Sequence, residues 1–188
     1  MAGKASSASP AFVLWIEGLP CSGKTTLAQS VAERLRVRGE EVQILDGDEV
    51  RRMFSPELGF SRKDREVHAR RVSYVARMLA SHGVVTIVAM ITPYETSRQA
   101  ARAEVQGKFV EVWLRCPIEV CRERDVKGLY ARAVQGGSAR VTGVNDPFEE
   151  PLHPELIVDT NRLNVPQSTD RILRYLTDQK LLPAVPAT

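Results

Sequence analysis

Residues 18–26 of the chain, GLPCSGKTT, follow the apolar run FVLWIE and precede the helical pattern LAQSVAERL. The stretch from Gly18 to Thr25 fits G-x-x-x-x-G-K-[S/T], and a strand before it with a helix after it is the context that this pattern requires. Its glycines let backbone N–H groups face inward around phosphate oxygens, and the positive end of the helix adds to the attraction. We therefore predict a loop that binds a nucleoside triphosphate, with Lys24 on the β- and γ-phosphates and Thr25 on Mg²⁺.

The composition is typical of a chain that folds as one compact domain. Its 188 residues are 43% apolar, which is enough for a sizeable core. The net charge of +3 favours a local site for an anionic ligand and predicts neither a nucleic-acid nor a membrane partner. The cysteines Cys21, Cys116 and Cys121 have no metal-binding spacing, so we expect a reducing compartment, the cytoplasm. We expect one domain over 11–182, a disordered lead over 1–10 and a flexible tail over 183–188.

Short apolar runs alternate with helical patterns along the chain. This alternation predicts βαβ units, and therefore an α/β fold in which helices flank a parallel five-stranded sheet. The predicted strands are FVLWIE, EVQILD, VVTIVAM, FVEVWL and LIVDT. The predicted helices cover 24–38, 94–106, 117–124 and 167–180, together with a long segment that starts at Ser61 and stops at Gly83. Because such sheets bind ligands at the carboxyl ends of their strands, we expect the chemistry just after residues 17, 46, 90 and 114.

Two aspartates close the second predicted strand, Asp46 and Asp48 in the sequence ILDGDEVRR. No carboxylate follows VVTIVAM, where many nucleotide-hydrolysing proteins with this loop place an Asp linked to Mg²⁺. An Asp within reach of an acceptor hydroxyl can orient or deprotonate it, so the pair favours a small-molecule kinase over a switch protein. The alternative is that Asp48 only caps the next helix, a role that fits Asp46 less well.

Basic residues follow the two aspartates. Arg51 stands one turn after the pair, and Arg65 lies early in the next long helix. Most arginines on a helix surface are solvated, yet Arg also makes bidentate contacts to phosphate or sulfate oxygens. We therefore expect an anionic acceptor.

Six segments carry a resemblance to a known family, and they occur in the order GLPCSGKTT, LDGDEVRR, LGFSRKDREVHARRV, ITPYETSRQAAR, RDVKGLYARA and TGVNDPFEEP. With them the chain resembles the adenylylsulfate (APS) kinases, a family of P-loop kinases, from about Phe12 to the last helix. The resemblance implies a three-layer P-loop kinase fold, a mobile lid over about 125–151 and a homodimer. It also implies the reaction of Mg·ATP with adenosine 5′-phosphosulfate to give ADP and 3′-phosphoadenosine 5′-phosphosulfate.

The resemblance implies roles for individual residues as well. The implied catalytic set is Asp46, Lys24 and Asp48, with Mg²⁺ held at Thr25 through ATP and at Asp46. The implied ATP site consists of Gly18, Leu19, Pro20, Cys21, Ser22, Gly23, Lys24, Thr25, Thr26 and Arg124. The implied acceptor site consists of Asp48, Arg51, Phe54, Arg65, His68, Ile91, Thr92, Pro93, Lys127 and Leu129. Phe54 matches an aromatic near the acceptor adenine, and Thr92 replaces a Ser that carries a phosphate in some family members.

Two residues depart from the family pattern. His68 stands where Asn is usual, and Val141 stands where the family usually has a Phe that covers the acceptor base. Val cannot stack on a base, which puts acceptor selectivity in question and places more of the recognition on Phe54. These departures leave open a kinase of the same architecture with a different nucleotide-like acceptor. A non-catalytic nucleotide-binding regulatory domain is the third alternative.

Overall fold

The computed structural model of the chain describes residues 11–126, 128–134 and 140–183. Its strands are β1 (Val13–Glu17), β2 (Val42–Asp46), β3 (Val85–Ala89), β4 (Phe109–Arg115) and β5 (Leu156–Asp159). All neighbouring pairs are parallel, and the order across the sheet is β2-β3-β1-β4-β5. The five-stranded parallel sheet is as predicted. The predicted disordered lead, and all of the predicted tail except Pro183, lie outside the described residues.

Helices connect the strands and cover the sheet. They are α1 (Lys24–Val37), α2 (Gly47–Phe54), α3 (Arg62–Ser81), α4 (Glu95–Val105), α5 (Ile118–Arg124), α6 (Leu129–Val134) and α7 (Val165–Asp178). The short helices α2 and α6 were not among the predicted elements. The last helix begins earlier than predicted because the side chains of Asn164 and Gln167 each accept a hydrogen bond from the other residue's backbone N–H. Within the described residues, no helix combines the length and the apolar character needed to cross a membrane.

The two faces of the sheet bury separate apolar cores. On one face, Leu14 and Ile16 of β1 pack with side chains of α1 and α7. On the other face, Val13 and Trp15 pack with side chains of α3 and α4. Successive side chains of β1 thus point to opposite faces of the sheet and pack against two different layers of helices. This gives the predicted three-layer α/β architecture.

The strand register brings three loops together at one edge of the sheet. Ile16 of β1 and Asp46 of β2 both lie opposite Ala89 of β3. The segments that follow β1, β2 and β3 therefore leave the sheet side by side, as expected for the carboxyl edge of a parallel sheet. A Cβ atom on Gly47 would lie 2.7 Å from Met90 Cγ and 3.2 Å from the Ala89 carbonyl oxygen. Only glycine allows the start of α2 to approach β3 this closely.

A buried charge cluster, Glu17, Arg98 and Glu111, lies beneath that edge. Glu17 is the last residue of β1 and is fully buried. Arg98 Nε lies 3.6 Å from Glu17 Oε1 and 3.5 Å from Glu111 Oε1, but its single N–H donates to Glu95 Oε2 at 3.0 Å. In the described part of the chain, no hydrogen bond reaches either carboxyl oxygen of Glu17. Burial therefore raises the pKa of Glu17 well above its usual range, Arg98 opposes this shift and Glu111 adds to it.

This raised pKa predicts how the stability of the protein depends on pH. The folded state keeps the Glu17 proton at pH values where the unfolded chain has lost it, so rising pH destabilises the fold between the two pKa values. Glu17→Gln stays neutral and can donate to Glu111. We expect its melting temperature, relative to that of the parent, to rise from pH 5 to pH 9 by at least roughly 2–4 °C, the shift that about 1 kcal/mol produces in a chain of this size.

The measurement is a series of thermal unfolding curves from pH 5 to pH 9. Glu33→Gln, at an exposed position of α1, is the matched control and should give no pH-dependent difference. A difference between Glu17→Gln and the parent that does not change with pH would contradict the assignment of a neutral Glu17.

Candidate active site

The phosphate loop turns sharply between β1 and α1. Gly18 has φ 146°, Cys21 has φ 62° and Gly23, the N-cap of α1, has φ 101°. A Cβ atom on Gly18 would lie 2.7 Å from the Leu114 carbonyl oxygen, so the loop passes tightly over β4. As a glycine, the N-cap residue Gly23 has no side chain with which to cap the first turn of α1. The N–H groups of that turn can therefore serve an anion held by the loop.

The functional side chains of the loop are the lysine and the threonine that open α1. Lys24 Nζ donates to the carbonyl oxygens of Gly18 at 3.0 Å and Leu19 at 2.7 Å, which holds the ammonium group over the loop. The Thr25 hydroxyl donates to Asp46 Oδ2 at 2.7 Å. This bond joins the start of α1 to the end of β2.

Asp46 uses its second carboxylate oxygen to cap α2. Its Oδ1 accepts the backbone N–H of Asp48 at 3.0 Å and that of Glu49 at 3.5 Å. The alternative that gave the capping role to Asp48 was therefore wrong, because the residue at the end of β2 is the N-cap. Asp46 is thus fixed by two elements at once, and its carboxylate stays between the phosphate loop and α2.

A cavity of about 630 Å³, here the Asp46 cavity, opens at the meeting point of these loops. Most of the predicted site residues line it: Pro20, Cys21, Gly23, Lys24, Thr25, Thr26, Asp46, Asp48, Arg51, Arg65, His68, Ile91, Thr92, Pro93 and Leu129. Gly18, Leu19, Ser22, Phe54 and Arg124 do not line it. The predicted lid residue Lys127 lies outside the described residues.

The aromatic ring in this cavity is Phe60, not Phe54 as expected. Phe60 lines the Asp46 cavity, and the guanidinium carbons of Arg51 and Arg65 lie 4.9 and 5.5 Å from the centre of its ring. The expected placement of Phe54 in the site is therefore not borne out by the geometry. Phe54 ends α2, and its carbonyl oxygen accepts from Arg71 at 2.8 Å. Both phenylalanines lie between Arg51 and Arg65 in the sequence, so their positions alone could not have identified Phe60.

The two arginines of the cavity differ in their surroundings. Arg51 Nη1 donates to the Gly59 carbonyl at 2.8 Å, and burial together with the nearby Arg65 guanidinium lowers the pKa of Arg51. Arg65 is 8% exposed and pairs at 3.1 Å with Asp146, whose side chain is 9% exposed. Two guanidinium groups this close repel each other, so an anion between them would be stabilised. The Asp146 pair ties α3 to the segment that follows residue 140.

His68 is a buried neutral imidazole on the wall of the same cavity. Its Nδ1 lies 3.0 Å from the Ser55 hydroxyl, which also accepts from Arg71 Nη1 at 3.3 Å. We assign the Ser55 proton to this Nδ1 contact, which leaves the imidazole proton on Nε2. Burial, with Arg51 and Arg71 nearby, lowers the pKa of His68 to about 4. A base this weak does not fit a proton-transfer role near neutral pH, and His68 instead joins α3 to the end of α2.

A second cavity of about 990 Å³, here the Cys116 cavity, lies beyond the phosphate loop, at the carboxyl ends of β4 and β5. Leu19, Cys116, Asp159 and Asn161 are among its lining residues. Arg124, predicted to face the ATP adenine, donates from Nη2 to the carbonyl of Thr160 at 2.6 Å. Arg124 therefore lies next to this cavity and not next to the Asp46 cavity.

Val141 packs inward instead of standing over the Asp46 cavity. It is buried in a small apolar cluster with Cys116, Cys121 and Tyr130, and the Tyr130 hydroxyl donates to the Pro20 carbonyl at 3.0 Å. Burial and the neighbouring Cys116 thiol raise the pKa of Cys121, so this thiol stays protonated and packs as an apolar side chain. The cluster supports the phosphate loop from below.

Comparisons with known proteins agree with this geometry. The family model for adenylylsulphate kinase matches residues 10–159. An adenylyl-sulfate kinase of a Synechococcus strain is 44% identical over 163 residues, which are 87% of this chain and 92% of that protein.

Solved structures give the same result. The Mycobacterium tuberculosis APS kinase in complex with AMPPNP and APS superposes with a TM-score of 0.86 at 33% identity, over 89% of this chain and 98% of that one. A hexameric APS kinase from Thiobacillus denitrificans gives a TM-score of 0.72 at 31% identity, over 95% of this chain and 31% of that one. Because the family model covers most of its length, this chain belongs to the adenylylsulphate kinase family.

Proposed function

We propose that the protein is an adenylyl-sulfate kinase. It transfers the γ-phosphoryl group of Mg·ATP to the 3′-hydroxyl of adenosine 5′-phosphosulfate and releases ADP and 3′-phosphoadenosine 5′-phosphosulfate. The observation that carries this proposal is the Asp46 cavity. It brings the phosphate-loop side chains Lys24 and Thr25 together with two cationic side chains and one aromatic ring, namely Arg51, Arg65 and Phe60.

The donor side of the reaction belongs to the phosphate loop. Its backbone N–H groups and the Lys24 ammonium stabilise negative charge that moves toward the leaving phosphate during transfer. Thr25 and Asp46 offer a hydroxyl and a carboxylate 2.7 Å apart, which are the hard oxygen ligands that Mg²⁺ prefers. Bound there, Mg²⁺ would neutralise phosphate charge.

On the acceptor side, Asp46 is the group placed to orient or deprotonate the hydroxyl. Its carboxylate is held between the phosphate loop and α2, so it needs little reorganisation before the reaction. Asp48, one residue into α2, lines the same cavity and adds a second negative charge beside it.

The acceptor itself is an anionic nucleotide in this proposal. Arg51 and Arg65 match the charge of a phosphosulfate group, and the half-exposed Phe60 ring beside them can stack on an adenine. Val141 is buried in the cluster beneath the phosphate loop and cannot stack on a base, so in this proposal Phe60 supplies the aromatic contact.

Three further features stay proposals. We propose that the segment over about 125–151 acts as a lid that excludes water, and the ion pair of Arg65 with Asp146 supports this because it links the lid to the acceptor site. We also propose a homodimer and a cytoplasmic location.

The second candidate function, a kinase for a different nucleotide-like acceptor, is favoured by the unusual His68 on the cavity wall.

The proposed function predicts acceptor-dependent release of ADP. With Mg·ATP and adenosine 5′-phosphosulfate, a coupled assay should show ADP formation and a product phosphorylated at the 3′ position, while AMP and CMP should support little. Release with AMP or CMP but not with the phosphosulfate would favour the second candidate. ATP binding without transfer to any of the three would favour a non-catalytic domain.

Asp46→Asn tests the acceptor-side role of this carboxylate. Turnover should fall on the order of a hundredfold or more, because an amide cannot accept the hydroxyl proton. The Kd for ATP, measured by calorimetry, should change far less. An equal loss in turnover and in Mg·ATP affinity would instead assign Asp46 mainly to the metal ion.

Phe60→Ala and Phe54→Ala form a matched pair, since both side chains are 53% exposed. We expect Phe60→Ala to raise the acceptor KM about tenfold through lost base stacking, and Phe54→Ala to leave it unchanged. Steady-state kinetics at saturating Mg·ATP measure both variants. If only Phe54→Ala raised the acceptor KM, Phe54 and not Phe60 would be the ring that contacts the acceptor adenine.

A further inference from the structure

The loop after β3 holds a residue in a strained backbone conformation. Thr92 has φ 41°, a region that β-branched residues rarely adopt. Its neighbours Ile91 and Pro93 line the Asp46 cavity with it. Such strain persists only where surrounding groups enforce it, and it concentrates at functional sites.

Two buried side chains hold Thr92 in that conformation. The Trp15 indole N–H donates to the Thr92 hydroxyl oxygen at 3.0 Å, and Arg98 Nη1 donates to the Thr92 carbonyl oxygen at 2.9 Å. Trp15 comes from β1, where it is fully buried and packs on Phe109 with ring centres 5.7 Å apart. Arg98 comes from α4, is 1% exposed and is itself fixed by Glu95 at 2.7 Å.

These bonds also determine what the Thr92 hydroxyl can do. Thr92 is only 3% exposed, and its oxygen is directed at the indole of the strand that leads into the phosphate loop. A hydroxyl that carries a phosphate, or that attacks one, must be free to reach solvent or substrate. A hydroxyl that fixes a loop must be buried and paired, as this one is.

We propose that Thr92 is a positioning residue: its hydroxyl accepts the Trp15 N–H, its carbonyl accepts the Arg98 guanidinium, and together they fix the acceptor-side loop at residues 91–93. The loop and the phosphate loop are thereby held to the same strand, β1. The identity of the phosphoryl acceptor in this inference rests on the proposed function. The hydrogen bond between Trp15 and Thr92 does not depend on that function.

The test compares Thr92→Val with Thr92→Ser. Valine keeps the shape and the β-branch but removes the hydroxyl, whereas serine keeps the hydroxyl. We expect Thr92→Val to raise the KM for adenosine 5′-phosphosulfate about tenfold, since the buried Trp15 N–H loses its acceptor and the loop loses its position. The kcat and the KM for ATP should change less than about threefold, and Thr92→Ser should stay within about twofold of the parent in every constant.

A spectroscopic measurement reports the bond directly. The chain has 2 tryptophans, so its ¹H–¹⁵N spectrum should show two indole signals, which Trp113→Phe assigns. The Trp15 indole proton should exchange slowly with solvent in the parent and in Thr92→Ser, and its signal should shift in Thr92→Val.

Several outcomes would overturn the proposal. A large loss of kcat at unchanged acceptor KM in Thr92→Val would make the hydroxyl part of the transfer chemistry. An unshifted indole signal in that variant, or a loss in Thr92→Ser as large as in Thr92→Val, would show that the hydroxyl bond does not position the loop. If Thr92→Val does not fold, fast exchange of the Trp15 proton in the parent would contradict the proposal by itself. Absence of turnover in the parent would remove the proposed function and leave the indole measurement valid.

Discussion

The arrangement of the site depends on the hydrogen bonds of the Asp46 carboxylate. One oxygen accepts the Thr25 hydroxyl from the helix after the phosphate loop, and the other caps α2, which carries Asp48 and Arg51. The donor and acceptor halves of the cavity are therefore joined through a single side chain at the end of β2. Because residue 47 is glycine, the start of α2 can lie close to the end of β3. This close approach keeps the acceptor half of the cavity next to the donor half.

Beneath this contact, the protein keeps charge and strain in its interior. Glu17, directly before the phosphate loop, is buried with Arg98 and Glu111, and Arg98 also fixes the carbonyl of Thr92 in its strained conformation. The burial of such polar and charged groups contributes little net stability, because desolvation offsets their attraction. Their effect here is positional, since they connect the end of β1 to the loop after β3.

The acceptor half is bound together by polar contacts that cross between elements. His68 reaches from α3 to Ser55 at the end of α2, and Arg65 reaches from α3 to Asp146. Both residues also line the cavity, so the groups that shape it also brace it. A ligand that binds between Arg51 and Arg65 would thus act on contacts that extend to the segment after residue 140.

Local patterns in the sequence were enough to predict the phosphate loop, the parallel sheet and the family. These features depend on hydrophobic periodicity, on glycine at fixed spacing and on the order of short motifs, all of which are local properties of the chain. The same patterns could not predict which aspartate caps α2, because a cap depends on where the helix begins to within one residue. They also selected Phe54 over Phe60, and this choice depends on how the loop between α2 and α3 folds back over Arg51 and Arg65. The burial of Val141 and the bond of Trp15 to Thr92, across 77 residues, are contacts between distant parts of the chain, and only tertiary packing decides such contacts.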